Sequence, residues 1–330
     1  MNNVSVVKEF LILGFFVPWS LQLLQSVLFT VISLLAVVRN VPIISITSLD
    51  PCLQTPMYFF LRYLFLFDLC LISAAVPKIV VNSLTHSNSI SFFGCVTEVF
   101  LVPFSAGAEL LLLTVKSIDR YAAICHTLHY KAIIKRSTCV QMVALSWLIG
   151  GFISVIHTAG TFSLSYCGIN EIQQFFSDIP HLLAITCSEN ITAEIIHILV
   201  NASLDFCCFI CITVSYFYIF STVSKIPSTK KQSETYFTCL PHLAVVLFVS
   251  TAFIAYLKPI LGCASFTDLV LSSLYILLPP SLNSIIYSLR NKTMKTSLGK
   301  LITRKLLITD NILIFFPKSR GVVFLISVYR

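Results

Sequence analysis

Charged residues are scarce in this chain. Asp, Glu, Lys and Arg make up 11% of its 330 residues, whereas hydrophobic residues make up 57% and the mean hydropathy is +0.90. A soluble domain of this length needs far more charge to cover its surface, and the apolar runs are too long and continuous for a soluble all-β protein. The composition therefore predicts an integral membrane protein built mostly of spanning helices.

Short catalytic and metal-binding motifs are also absent. The sequence contains no HExxH, GxSxG or P-loop string, so we predict no enzyme activity and no cofactor. Its 12 cysteines form no CxxC…CxxC pattern, which excludes a zinc ribbon, and we predict no metal. The net charge of +8 comes from basic residues between apolar blocks rather than a basic stripe with interleaved aromatics, so nucleic acid is not an expected partner.

Seven apolar segments are long enough to cross a bilayer, which takes about 20 residues of helix. They lie near 22–47, 57–80, 93–118, 139–160, 195–223, 236–257 and 269–289. No internal repeat, pair of broken helices or continuous row of intramembrane charges is visible, which disfavours a transporter or a channel. The predicted fold is an all-α bundle of seven transmembrane helices.

The basic residues give the orientation of this bundle. If the N-terminus is outside, the outer segments hold only Lys8, Lys78 and Lys258. The inner segments then hold Arg120, Lys131, Lys135, Arg136, Lys225, Lys230, Lys231, Arg290, Lys292, Lys295, Lys300, Arg304 and Lys305. Since cytoplasmic loops carry the excess of Lys and Arg, the N-terminus is predicted outside and the C-terminus in the cytoplasm.

Three regions follow from this topology. Residues 1–21 form an extracellular N-terminus, 22–290 the seven-helix domain, and 291–330 a cytoplasmic segment with a short amphipathic helix and an atypical apolar tail. Sequons at Asn3 and Asn190 fall on the outer side and are predicted glycosylation sites.

Five short strings carry a more specific signal. They are LQTPMYFFL at 53–61, SIDRYAAICHTLHY at 117–130, Ser215-Tyr216, FTCLPHL at 237–243 and PSLNSIIYSLRNK at 280–292. In their order, and in the helix ends at which they occur, they resemble the signatures of the olfactory receptor family, of the class II type. The resemblance covers residues 10–302 and implies a rhodopsin-like G protein-coupled receptor in the plasma membrane.

The resemblance implies a function as well. A small volatile odorant would bind among the third, fifth, sixth and seventh helices, and helix motions would then activate a stimulatory heterotrimeric G protein that raises cyclic AMP. Candidate pocket residues face the bundle near its outer half, although plain packing is the alternative for each. They are Val102, Ala106, Asn201, Asp205, Phe253, Tyr256 and Ile276.

By the same resemblance, Asp119, Arg120 and Tyr121 form the switch at the inner end of the third helix. Asp119 would neutralise Arg120 at rest, and Tyr216 and Tyr287 would be its partners on activation. The alternative for Arg120 is a snorkelling arginine, and that for the tyrosines is an interfacial aromatic anchor.

Asp68 lies in the middle of the second span, where a buried acid is expensive and usually paired or functional. The resemblance places it in a polar network with Asn283, of a kind that can bind sodium, and simple polar packing is the alternative. Glu109 and Lys116 share one face of the third helix, two turns apart. The family has an acidic residue at Glu109 but a methionine, not a lysine, at Lys116.

The outer cysteines depart from the family pattern. Cys95 pairs in the family with a loop cysteine, but Ser177 occupies that position here. The resemblance predicts that Cys167 bonds Cys187 and that Cys95 is left free or mispaired. Loss of a native disulfide costs about 2–5 kcal/mol.

Other departures from the family pattern are also unfavourable for a functional receptor. Arg39 replaces a glycine in the first helix, Ser284 replaces the proline of the seventh, and 306–330 extends the chain with apolar runs too short to span. Two hypotheses therefore stay open: a functional odorant receptor, and a non-signalling membrane protein that is retained or degraded.

Overall fold

The computed structural model describes residues 9–12, 19–85, 89–166, 171–172, 177, 179–188 and 191–230, together with positions 232–233, 235–236, 239, 243, 246, 276–277 and 283. Five helices in these residues are long and apolar enough to cross a membrane, and they coincide with the first five predicted spans. Most of the sixth and seventh predicted spans, and all of 291–330, lie outside the described residues.

The helices occur in the expected order, with short connections at the inner side. They are α1 Trp19–Leu49, α2 Pro56–Thr85, α3 Phe92–Cys125, the single-turn α4 Tyr130–Ile133, α5 Arg136–Ser163, the short α6 Ile179–Ala184 and α7 Thr192–Val223. Each spanning helix is longer than the apolar run that predicted it. The 34 residues of α3 extend about 51 Å, well beyond a hydrocarbon core of roughly 30 Å, because helical hydrogen bonding continues into the interface.

Helix α3 is the central element of the described bundle. It packs against α2, α5 and α7, while α1 packs against α2. Gly150 of α5 permits the close approach to α3, since a Cβ at this position would lie 3.3 Å from the Phe104 carbonyl oxygen. Three of the described spanning helices contain an internal proline, at Pro42, Pro77 and Pro103. Neighbouring helices and Ser or Thr side chains make such prolines tolerable in membranes.

A small three-stranded sheet covers the outer end of the bundle. Strand β1, Glu9–Ile12, pairs antiparallel with β2, Ser89–Ser91, and parallel with β3, Glu171–Ile172. The N-terminus and the first two outer loops therefore meet in one layer. The apolar cluster beneath this sheet contains Phe10, Ile12, Ile90, Cys95, Val99, Ile172, Ile179, Leu182, Leu183 and Ile198.

The two unexpected basic residues occupy different surroundings. Arg39 lies on the exposed face of α1, where a long side chain can reach toward the interface. Lys116 is only 5% exposed and points into the bundle, so it does not reach toward lipid as a snorkelling side chain would.

Candidate functional site

The inner end of α3 holds the predicted switch. Arg120 donates from Nη2 to Asp119 Oδ2 at 2.6 Å and from Nε to the same oxygen at 3.2 Å. The Asp119 side chain is 1% exposed and that of Arg120 is 22% exposed, so the acid is inside and the guanidinium is at the rim. The sequence places these residues side by side, and the structure joins them in a charge-assisted hydrogen bond.

Tyr130, at the start of α4, completes this arrangement. Its hydroxyl donates to Asp119 Oδ1 at 2.8 Å, so each carboxylate oxygen has its own donor. Burial, together with the hydrogen bond to this carboxylate, raises the pKa of Tyr130 well above its usual value, which keeps the phenol protonated and donating. Sequence reasoning missed this role, although Tyr130 ends the 117–130 motif that carried the resemblance.

Two contacts join the inner ends of α3 and α7. The Tyr121 ring lies against the Tyr218 ring, with centroids 5.9 Å apart. Cys125 Sγ lies 3.3 Å from Thr222 Oγ1. Tyr216 is 2% exposed and packs beside Phe220 within the inner core. Tyr287, the other predicted partner of Arg120, lies outside the described residues.

A buried polar network occupies the middle of the bundle. Asn283 Nδ2 donates to Asp68 Oδ1 at 3.1 Å, to Asp68 Oδ2 at 3.3 Å and to Glu109 Oε1 at 3.0 Å. Asp68 and Asn283 are fully buried and Glu109 is 4% exposed. The sequence suggested the first two as partners, and the structure adds Glu109, so one amide group links α2, α3 and the seventh predicted span.

Five of the seven candidate pocket residues lie in the described part of the chain. Val102 and Ile276 lie in one apolar cluster with residues of α1 and α2. Asn201 and Asp205 lie one turn apart on α7 and are half-buried, as is Ala106 on α3. Phe253 and Tyr256 lie outside the described residues.

The second outer loop contacts α3 at Ser177, the residue that occupies the predicted cysteine position. The Ser177 backbone N–H donates to Glu98 Oε2 at 2.8 Å, and both residues are buried. Cys95 lies one turn before Glu98 and is fully buried in the outer apolar cluster. Cys187 is disulfide-bonded. Its predicted partner Cys167, and the sequon residues Asn3 and Asn190, lie outside the described residues.

A second acidic site, which the sequence did not suggest, joins α5 and α7. Glu194, 2% exposed, lies between two histidines. Its Oε1 is 3.3 Å from His197 Nδ1 and its Oε2 is 3.6 Å from His157 Nδ1. Gly160 makes room for this carboxylate, because a Cβ there would overlap Glu194 Oε1.

Comparisons with known proteins show what the chain is similar to. A family model described as olfactory receptor matches residues 29–305. Human olfactory receptor 14A16 is 60% identical over 306 residues, which cover 93% of this chain and 99% of that protein. Human olfactory receptor 14A2 is 47% identical over 305 residues, 92% of this chain and 97% of that protein. Human olfactory receptor 5I1 is 36% identical over 305 residues, again 92% of this chain and 97% of that protein.

Proposed function

The chain belongs to the olfactory receptor family, and from that premise we propose that it binds small volatile odorants inside its helix bundle and activates a stimulatory heterotrimeric G protein, which raises cyclic AMP. As a member of this family it is a multi-pass receptor of the plasma membrane that senses odorants and couples to a G protein, and it is not an enzyme.

The observation that carries the signalling proposal is the Asp119–Arg120–Tyr130 group. A carboxylate that is 1% exposed and accepts from two donors restrains an arginine at the cytoplasmic rim. Such a group has two states, since Arg120 is either paired with Asp119 or released from it. In the proposed mechanism odorant binding favours the released state, in which Arg120 turns toward Tyr216 and Tyr287.

The contacts between α3 and α7 support a cleft that opens at the inner side. Tyr121 with Tyr218, and Cys125 with Thr222, hold the two helix ends together. They must separate or slide if a G protein segment is to reach Arg120. Rigid helices that shift against one another in this way are a common form of receptor switching.

The proposed odorant pocket combines apolar walls with a few polar groups, as small-molecule sites usually do. Val102, Ala106 and Ile276 supply apolar surface, and Asn201 and Asp205 supply hydrogen-bonding groups. Phe253 and Tyr256 complete the proposed lining. Asp68 and Asn283, below this region, are proposed to transmit the change between the pocket and the switch.

Several covalent and lipid features belong to the same proposal. Cys167 is the proposed partner of the disulfide-bonded Cys187. Asn3 and Asn190 are proposed to carry glycans on the outer side. Membrane lipid surrounds the apolar outer faces of the spanning helices.

A cyclic-AMP assay tests the proposed function. The N-terminally tagged chain is expressed in cultured mammalian cells together with a stimulatory G protein, and a panel of volatile odorants is applied. We expect at least one odorant to raise cyclic AMP in cells with the native chain. Arg120→Gln, at matched surface level, should abolish the response. A response that persists in Arg120→Gln would contradict the proposed switch.

A second candidate is a receptor that is retained in the cell, and Ser177 is the observation that favours it. This serine lies where the family has the loop cysteine, so the loop is attached to α3 through the Glu98 hydrogen bond. Surface labelling of the native chain beside Ser177→Cys separates the two candidates. Native chain at the surface supports the signalling receptor. Surface labelling of Ser177→Cys alone supports the retained one.

A further inference from the structure

A buried ammonium group lies between the central polar network and the inner switch. Lys116 is 5% exposed, and it follows Glu109 on α3 by two turns on the same helix face. Side chains on a helix tilt toward its N-terminus, and α3 runs from outside to inside, so Lys116 extends back toward the Asp68–Glu109 level. Lys116 interacts electrostatically with both of these carboxylates.

A cation near the network lowers the cost of holding negative charge on its two acids. Asp68 and Glu109 are both buried and share one amide, which is neutral and offers only N–H donors to them. Two carboxylates this close inside a low-dielectric bundle repel each other, and burial of uncompensated charge costs several kcal/mol. In the part of the chain that the structure describes, Lys116 interacts with both acids and, on its inner side, also with Arg120 and Asp119 of the switch.

A sodium ion fits this environment poorly. Carboxylate oxygens are ligands that suit a hard cation, but an ammonium attached to the same helix is already present. A tethered group acts at an effective concentration set by its tether, of the order of mM or more, and never diffuses away. A free cation would also be repelled by the charge of Lys116.

We propose that Lys116 is the built-in counter-ion of the Asp68–Glu109 pair, and that this receptor therefore takes up no sodium ion at its central polar network. The ion content of the bundle does not depend on which odorant or G protein the receptor uses. Lys116 then has a structural role, because its ammonium group, rather than a cation from solution, compensates the negative charge of the two acids.

Thermal unfolding of the full chain in detergent tests the proposal. The midpoint is measured in sodium chloride and in choline chloride at equal ionic strength, so that only specific sodium binding differs between the two. We expect the native chain to unfold at the same temperature in both salts. Lys116→Met leaves the acid pair without its tethered cation, so a sodium ion can take that place, and its midpoint should be about 2–4 °C higher in sodium than in choline.

Two further variants control this comparison. Lys116→Arg keeps a cation at the same place and should stay insensitive to sodium. Adding Glu109→Gln to Lys116→Met removes one acid and should abolish the sodium effect. A native chain stabilised by sodium would overturn the proposal, whether or not any variant folds. A folded Lys116→Met without a sodium effect would overturn it as well.

Discussion

At the scale of single residues, the Asp119 carboxylate accepts hydrogen bonds from both Arg120 and Tyr130, so both side chains contribute to the resting state of the switch. Arg120 forms the short charge-assisted contact, whereas Tyr130 reaches the other carboxylate oxygen from α4. Removing the Tyr130 hydroxyl leaves the contact between Arg120 and Asp119 in place, but the Asp119 carboxylate is then held by one residue instead of two. The resting state is therefore expected to depend on both donors.

Tyr130→Phe tests this dependence. A hydrogen bond to a charged group contributes about 1.5–3 kcal/mol, and 1.4 kcal/mol is tenfold in an equilibrium. We expect basal cyclic AMP, measured without odorant and normalised to surface level, to rise several-fold. Tyr166→Phe is the matched control, because it removes a hydroxyl that donates to the Thr161 carbonyl oxygen at the outer end of α5, far from the switch. Equal basal signalling in Tyr130→Phe and the native chain would contradict the role of Tyr130.

Asn283 is the second residue with a measurable contribution. Asn283→Ala removes the amide that donates to Asp68 and Glu109, so each of these buried acids loses a hydrogen bond. We expect a loss of about 2–4 kcal/mol in the free energy of unfolding, measured by denaturation in detergent.

Asn82→Ala is the control for this loss. Asn82 is also a buried asparagine, 7% exposed, but its side chain has no hydrogen-bond partner within the described residues. Its replacement should change stability by less than about 1 kcal/mol, because no hydrogen bond is lost. Equal losses at both positions would mean that the network contributes nothing specific.

Contacts between neighbours in sequence are predictable at this scale, whereas contacts between distant segments are not. Arg120 and Asp119 are neighbours in a motif, so their pairing could be predicted from local sequence. Glu109 could not be assigned to Asn283, because their 174-residue separation says nothing about the distance between α3 and the seventh span. Tyr130 is only 11 residues from Asp119, but the contact depends on how the chain turns between α3 and α4, which the motif does not specify.

At the scale of elements, the α5–α7 contact depends on the absence of one side chain. The Glu194 carboxylate occupies the space above Gly160 and lies near His157 and His197. Gly160→Ala should displace the carboxylate from both histidines and lower the free energy of unfolding by about 1–3 kcal/mol. Thermal unfolding in detergent measures this loss.

Gly107 offers a matched control on α3. A Cβ at Gly107 meets nothing within 4 Å, so Gly107→Ala should be neutral or stabilise by up to about 1 kcal/mol, as expected inside a helix. If overlap with Glu194 causes the loss at Gly160, then Gly160→Ala should cost much less in a Glu194→Ala background. An unchanged cost in that background would place the cause elsewhere.

Helices and strands differed in how well they could be predicted. The five described spans follow from apolar runs, since a membrane-spanning segment must satisfy its own backbone hydrogen bonds as a helix. The helices extend a few residues beyond the predicted spans, as α3 does at its inner end, because polar residues at the membrane interface also continue a helix. The outer sheet was not predicted, because strands as short as Glu171–Ile172 form through pairing with segments distant in sequence.

At the scale of the whole molecule, composition and the distribution of lysine and arginine were enough to predict a membrane bundle with its N-terminus outside. The strands at the N-terminus and in the first two outer loops form one sheet, so these three segments lie on the same side of the bundle. What composition could not give is how the outer layer is attached to the bundle. That attachment depends on particular residues in the second outer loop.

Glu98 is the residue through which this attachment can be tested. It accepts the Ser177 N–H at 2.8 Å, at the position where the resemblance predicts a disulfide-forming cysteine. Glu98→Ala should remove about 1.5–3 kcal/mol, and a loss of this size lowers the abundance of a membrane protein several-fold. Surface labelling measures this, with Thr97→Ala as the control, because Thr97 is exposed and its hydroxyl donates to the Phe93 carbonyl oxygen within its own helix. If Glu98→Ala reached the surface at the native level, the outer layer would be held by its apolar cluster and sheet alone, and the hydrogen bond could not be compensating for the cysteine.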